Sequence, residues 1–323
     1  MNGKLLLQWM MRALAVLAGL GGAAWAQDNF PDRPVTLVVP YGAGSAIDSV
    51  GRALALGAQK HLGQSVVVEN RSGAGGALGT AYAARRPADG YTLALVSINP
   101  FVLSYFSKAL PLHPVDDFTH VISTTGYLMA VAVRSDSKIK DIHELVEAAR
   151  KSPGKLTYST SGIASTGYLN VEEFSSLANI KAVHVPYKSG AEAMTALLAG
   201  QVDFFADATW APFAKDGRVR PLMIFANERS SLHPQVPVPT DIVKARVQQG
   251  YLMIVGPKGL PPLVLQRLHD AFKAATNEAE YKSVTEKFNL ESMYYNADTS
   301  RKSTQAAMAP LEKMYFTLGL DKQ

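Results

Sequence analysis

Apolar residues in this chain come in short runs that alternate with amphipathic stretches, and that rhythm sets the first expectation about its fold. Val35–Val39 (VTLVV) is a continuous apolar run, as expected of a strand covered on both faces. Residues 45–62 place Leu54 and Ala58 on one face and end at Gly63, which predicts a helix. Strands are predicted at 65–68 and 91–96, with a helix over 77–85 between them and a short one over 99–108. The pattern restarts near Tyr127 with a strand at 128–133. A helix follows from Asp141: Asp141 and Glu144 have capping-box spacing, and Ile142, Leu145, Val146 and Ala149 form a stripe.

Strands then read at 156–159, 182–185, 202–205 and 220–225, with helices between them, including 191–199. From Leu252 a strand (LMIV) runs to Gly256-Pro257, and helices are predicted over 261–276, 278–288 and 299–317. There is no short repeat. Such alternation predicts α/β layers with mostly parallel sheets. In these sheets ligands bind beyond the carboxyl ends of strands, where strand order reverses. The turns that follow strands are therefore the first place to look for chemistry.

Composition narrows the class. A chain of 323 residues, 47% hydrophobic and 18% charged, suits two globular domains. Lys4 and Arg12 precede an apolar run, Ala13 to Ala24, that ends in Ala24-Trp25-Ala26. These features predict a secretory signal peptide over 1–26, cleaved after Ala26. The run is shorter than the roughly 20 residues of a membrane span. Cleavage removes two cations and no acid, taking the net charge from +5 to +3. The remaining basic residues are scattered, which argues against a nucleic-acid partner. There is no cysteine, so disulfides, thiol chemistry and Cys-based metal sites are excluded.

Four strand-end turns stand out. In Pro40 to Asp48 (PYGAGSAID), Gly42 and Gly44 allow close backbone approach, and Ser45 and Ala46 open a helix. The turn holds no Lys or Arg, so an anion there would be held by backbone N–H groups. Asp48 repels an anion and is expected to cap the helix or meet a ligand hydroxyl or ammonium. Ser97-Ile98-Asn99 is a small polar cluster that fits a cap as well as a ligand contact. Ser159 to Gly167 (STSGIASTG) carries five hydroxyls and two glycines before a helix, a cradle for an anion or a loop with one N-cap. Asp207-Ala208-Thr209-Trp210 offers a carboxylate and an indole to a cleft, or a cap and a core side chain.

Other chemistry finds no support. Gly73 to Gly79 (GAGGALG) looks like a dinucleotide loop, but Leu78 breaks the GxGxxG spacing and the loop follows the second strand. There is no G-x-S-x-G, H-E-x-x-H or Walker motif. The seven histidines are scattered, and His184 in AVHV reads as a core residue. No catalytic residue, metal or cofactor is expected.

Five segments together carry a family resemblance: PDRPVTLVVPYGAGSAIDSVGRALA, LGQSVVVENRSGAGGALGTAYAARRPADGYTLAL, PGKLTYSTSGIAST, VHVPYKSGAEAMTALLAGQVDFF and VGPKGLPPLVLQRL. In this order the chain resembles the tripartite tricarboxylate transporter substrate-binding proteins, or Bug receptors, from about Phe30 to Leu320. The resemblance implies an α/β, two-lobed periplasmic binding protein of type 2, with a mixed, mostly parallel sheet in each lobe and a two-strand hinge. The lobes implied are 29–125 with 227–323, and 126–226.

It also implies small carboxylate ligands held largely by backbone groups and ordered water. Mapped onto this chain, the ligand positions are Tyr41, Gly44, Ser45, Ala46 and Asp48, then Ser97 and Asn99. The facing lobe supplies Ser161, Gly162, Ala164, Ser165 and Thr166, with Tyr187 and Asp207. Three departures from the family pattern bear on the ligand: Gly44-Ser45-Ala46 replaces three glycines, Tyr168 replaces a histidine, and Ala206-Asp207 replaces Asp-Asn.

The expected function is a monomeric periplasmic receptor that closes over a mono- or dicarboxylate, aliphatic or aromatic, for uptake by a membrane permease. A ligand-loaded partner of a membrane sensor protein is the alternative. An exported enzyme acting on a carboxylate would need a nucleophile or cofactor that is not visible. Tyr41, Tyr168, Tyr187 and Trp210 fit the wall of an aromatic ligand or the core equally well.

Overall fold

A computed structural model of the chain describes residues 30–163, 165–230, 232–243 and 249–322. The expected signal peptide and Ala164 lie outside the described residues. In the first part of the chain β1 (Val35–Val39), α1 (Ala46–Leu62), β2 (Val66–Asn70), α2 (Ala77–Ala84), β3 (Thr92–Ser97), α3 (Ile98–Phe106) and β4 (Phe118–Tyr127) follow one another. Next come β5 (Met129–Arg134), α4 (Ile142–Lys151), β6 (Thr157–Thr160), α5 (Thr166–Ala178), β7 (Val183–Pro186) and α6 (Gly190–Leu198). Then β8 (Phe204–Asp207), α7 (Trp210–Lys215), β9 (Val219–Phe225) and α8 (Thr240–Val243) lead to β10 (Gly250–Pro257). The chain ends with α9 (Pro262–Ala275), α10 (Ala279–Lys287), β11 (Glu291–Tyr295) and α11 (Ala297–Thr317).

These strands form two sheets, ordered β11-β4-β10-β3-β1-β2 and β7-β6-β8-β5-β9. Both are mixed. In the first, β2, β1 and β3 pair in parallel, while β10 runs against β3 and β4, and β11 against β4. In the second, β7, β6 and β8 are parallel, and β5 runs against β8 and β9. One direction is therefore shared by four of the six strands and four of the five. The chain passes from the first sheet to the second at Leu128 and returns between Phe225 and Gly250. Tyr127 pairs with Gly250 on one side of that crossing, and Met129 with Phe225 on the other. This is the two-strand hinge of the expected fold class.

Local chemistry explains the elements. Asp141 Oδ1 accepts the Glu144 N–H at 2.9 Å, so α4 starts where its capping spacing predicts. The run VTLVV is covered on both faces, with Leu37, Val38 and Val39 fully buried. Two strands, β4 and β11, lie where the hydrophobic pattern predicts none. β4 (FTHVISTTGY) is buried along nearly its whole length although half its residues are polar. Its hydroxyls have partners from the helices that pack on it: Ser123 with Ser300 at 2.8 Å, and Thr125 with Tyr281. Paired hydroxyls cost little to bury. Among the described residues no helix is long and apolar enough to cross a membrane.

Candidate ligand-binding cleft

Strands β1, β6, β7 and β8 each lead through a short turn into a helix, and β3 leads directly into α3. The carboxyl ends of strands from both sheets meet at one cleft, which in this closed form encloses a small cavity of about 40 Å³. Three helices open onto it, each behind a serine cap. Ser45 Oγ accepts the Asp48 N–H (3.1 Å), Ser165 Oγ the Tyr168 N–H (3.3 Å) and Ser189 Oγ the Glu192 N–H (3.2 Å). The residue after each cap, Ala46, Thr166 and Gly190, lines the cavity. Helix geometry leaves the N–H of such a residue without an intrahelical acceptor, and the helix dipole adds partial positive charge there. Dipoles from both sheets thus converge on one space.

Tyrosines form the floor. The Tyr41 hydroxyl accepts the Ser97 N–H at 3.2 Å. The Tyr127 hydroxyl bonds Ser97 Oγ at the end of β3 and Thr166 Oγ1 at the start of α5, the latter at 2.9 Å. Burial pushes the Tyr127 phenol up to about 12 and raises that of Tyr41, so both stay neutral.

Asp207 is the buried acid of the cavity wall. Burial raises its pKa, opposed by hydrogen bonds from Ser161, Thr209 and the Ala208 N–H. Its Oδ1 takes the Thr209 N–H at 3.2 Å and hydroxyl at 2.9 Å. A methyl on Gly190 would lie 2.2 Å from that oxygen, so only glycine lets the carboxylate reach the start of α6.

The positions mapped from sequence divide in three. Tyr41, Ser45, Ala46, Ser97, Ser161, Ser165, Thr166 and Asp207 line the cavity together. Gly162 and Tyr187 border its outer opening, beside Lys188 and Gly75. Gly44, Asp48 and Asn99 are not in the lining; Ala164 lies outside the described residues.

Asp48 is a loop pin. It receives the Gly44 N–H (2.9 Å), Arg52 Nε (3.1 Å) and Asn70 Nδ2 (2.8 Å). Burial pushes its carboxyl up, but the bonds from Arg52, Gly44 and Asn70 outweigh that and hold it below the usual range. Trp210 and Tyr168 are core residues: the Trp210 indole donates to the Leu128 carbonyl at 3.0 Å, and Tyr168 packs on His184. His184 contacts Thr160 Oγ1 at 2.7 Å, and burial lowers its pKa to about 4.

Sequence reasoning missed Tyr127, Lys188, Ser189 and Gly190. For Ser189 a signal existed: S-G-A-E repeats the capping spacing, and Glu192 Oε2 accepts the Lys188 N–H at 3.3 Å.

Two α/β sheets joined by paired crossing strands, with helix N-termini from both facing one cleft, define a periplasmic binding protein. Solved structures agree. Periplasmic binding protein BugD superposes with a TM-score of 0.84 at 26% identity, covering 90% of this chain and 99% of that one. Rpa4515 of R. palustris, solved with adipate, gives 0.82 at 26% identity over 90% and 98%. A family model described as "Tripartite tricarboxylate transporter family receptor" matches residues 50–319. The UPF0065 protein in the gbd 5' region of Cupriavidus necator is 38% identical over 313 residues, 95% of each chain. The chain belongs to the tripartite tricarboxylate transporter receptor family, a family of solute-binding receptors.

Proposed function

We propose that this protein captures a small carboxylate between two closing lobes, 29–125 with 227–323 and 126–226, and delivers it to a membrane permease. Residues 1–26 are read as its export signal. The observation that carries the reading is the meeting of Ala46, Thr166 and Gly190, each at the start of a helix, in one cavity. Lys188 is the sole cationic residue among those lining it, and its side chain is exposed. The adipate bound to the R. palustris neighbour supports a carboxylate ligand.

Hydrogen bonds to a charged group contribute roughly 1.5–3 kcal/mol each. Three or four of them, less the cost of ordering, reach about −8 kcal/mol, a micromolar Kd. Closure shifts an open–closed equilibrium and needs no covalent step. Scanning fluorimetry against organic acids, amino acids, amines and sugars tests the reading. At least one carboxylate is expected to raise Tm by a few degrees at roughly a hundredfold excess over Kd. A shift with amines or sugars and with no acid would overturn it.

A further inference from the structure

We infer that the buried part of this cleft is built for an acid with one carboxylate and an apolar body, and against a second carboxylate. This rests on the reading that the cleft takes a carboxylate, and it narrows the ligand class.

Where the crossing strands meet the cavity, its wall is Met129, Leu252 and Leu290, and Ile47 and Val50 continue it from the first turns of α1. Val50, Leu252, Met129 and Leu290 are buried and Ile47 is half-buried, so most of this wall is shielded from water. An apolar ligand body placed here gains about fourfold in affinity for each methylene it buries. A charged group placed here loses its hydration and finds nothing to replace it.

The neighbouring polar groups offer a second carboxylate little. The Tyr127 hydroxyl is already engaged by Ser97 and Thr166. The acid in the wall, Asp207, already takes the Thr209 N–H and hydroxyl and supplies no positive charge to a second anion. The cation, Lys188, is exposed and also borders the outer opening. At such a solvated position an ion pair adds little affinity. The convergent helix starts can hold one carboxylate, and the apolar wall accepts what is attached to it.

Hexanoate and adipate make a direct test, because they share a six-carbon chain and differ in a terminal methyl against a terminal carboxylate. Calorimetric titration of the unmodified protein is expected to give affinity rising about fourfold per methylene from butanoate to hexanoate. Adipate is expected to bind at least about a hundredfold more weakly than hexanoate. Benzoate against terephthalate is expected to show the same sign. A dicarboxylate that binds as tightly as its monocarboxylate partner, or more tightly, would overturn this inference and leave the carboxylate receptor standing. If no acid in either series bound, the reading beneath it would fall.

Discussion

Less than a methyl group's worth of space separates the loops that face each other across the cleft. Gly42, between β1 and α1, lies so close to Ser189, between β7 and α6, that an added methyl would sit 2.6 Å from Ser189 Cβ. The φ of Gly42 is not positive, so alanine suits its backbone, and the conflict arises only between the two loops. Gly42→Ala is expected to hold the cleft ajar and weaken ligand binding by roughly tenfold, the scale of an overpacked contact. The midpoint of chemical unfolding should not move. Adding Ser189→Gly removes the other side of the contact at small cost to the helix cap and should restore affinity. Titration of the single and double variants decides this, and wild-type affinity in Gly42→Ala would refute it.

Single residues were legible unevenly. The serine caps at Ser45 and Ser165 could be read because a cap depends on local sequence. Tyr127 could not, because its role is to touch Ser97 and Thr166, 30 and 39 residues away.

At the scale of elements, the first turn of α1 carries the chemistry. Ala46 follows an extended Ser45 with φ −70° and ψ 163°, the conformation favoured before proline. Proline at the first helical position preserves a helix and deletes one N–H. Ala46→Pro is therefore expected to fold normally and lose roughly tenfold or more in affinity for a carboxylate, the worth of one charge-assisted hydrogen bond. Calorimetry on the folded variant checks this; an unchanged Kd would mean that this N–H does not face the ligand.

Parallel strands and amphipathic helices were legible because period and punctuation report them directly. β4 was not: its central hydroxyls read as loop until α10 and α11 supply Tyr281 and Ser300 as partners. β11 (ESMYY) lacks a clean alternation and pairs only with β4.

For the whole molecule, strand-helix alternation foretold α/β layers, but the division into two sheets came from the family resemblance. Periodicity carries no record of where a chain changes sheets, and the crossing at Leu128 interrupts an otherwise continuous run of strand. The cleft exists because both sheets send the carboxyl ends of their parallel strands to the same place. That arrangement supplies partial positive charge from two sides with few charged side chains in the wall, and it makes a strong demand on the ligand. A carboxylate meets the demand, and a neutral group of the same shape does not. The most direct measurement is a calorimetric comparison of the tightest-binding acid with its primary amide. The amide should bind at least about a hundredfold more weakly, the loss of two charge-assisted hydrogen bonds. Equal affinity for acid and amide would contradict anion capture by the helix starts.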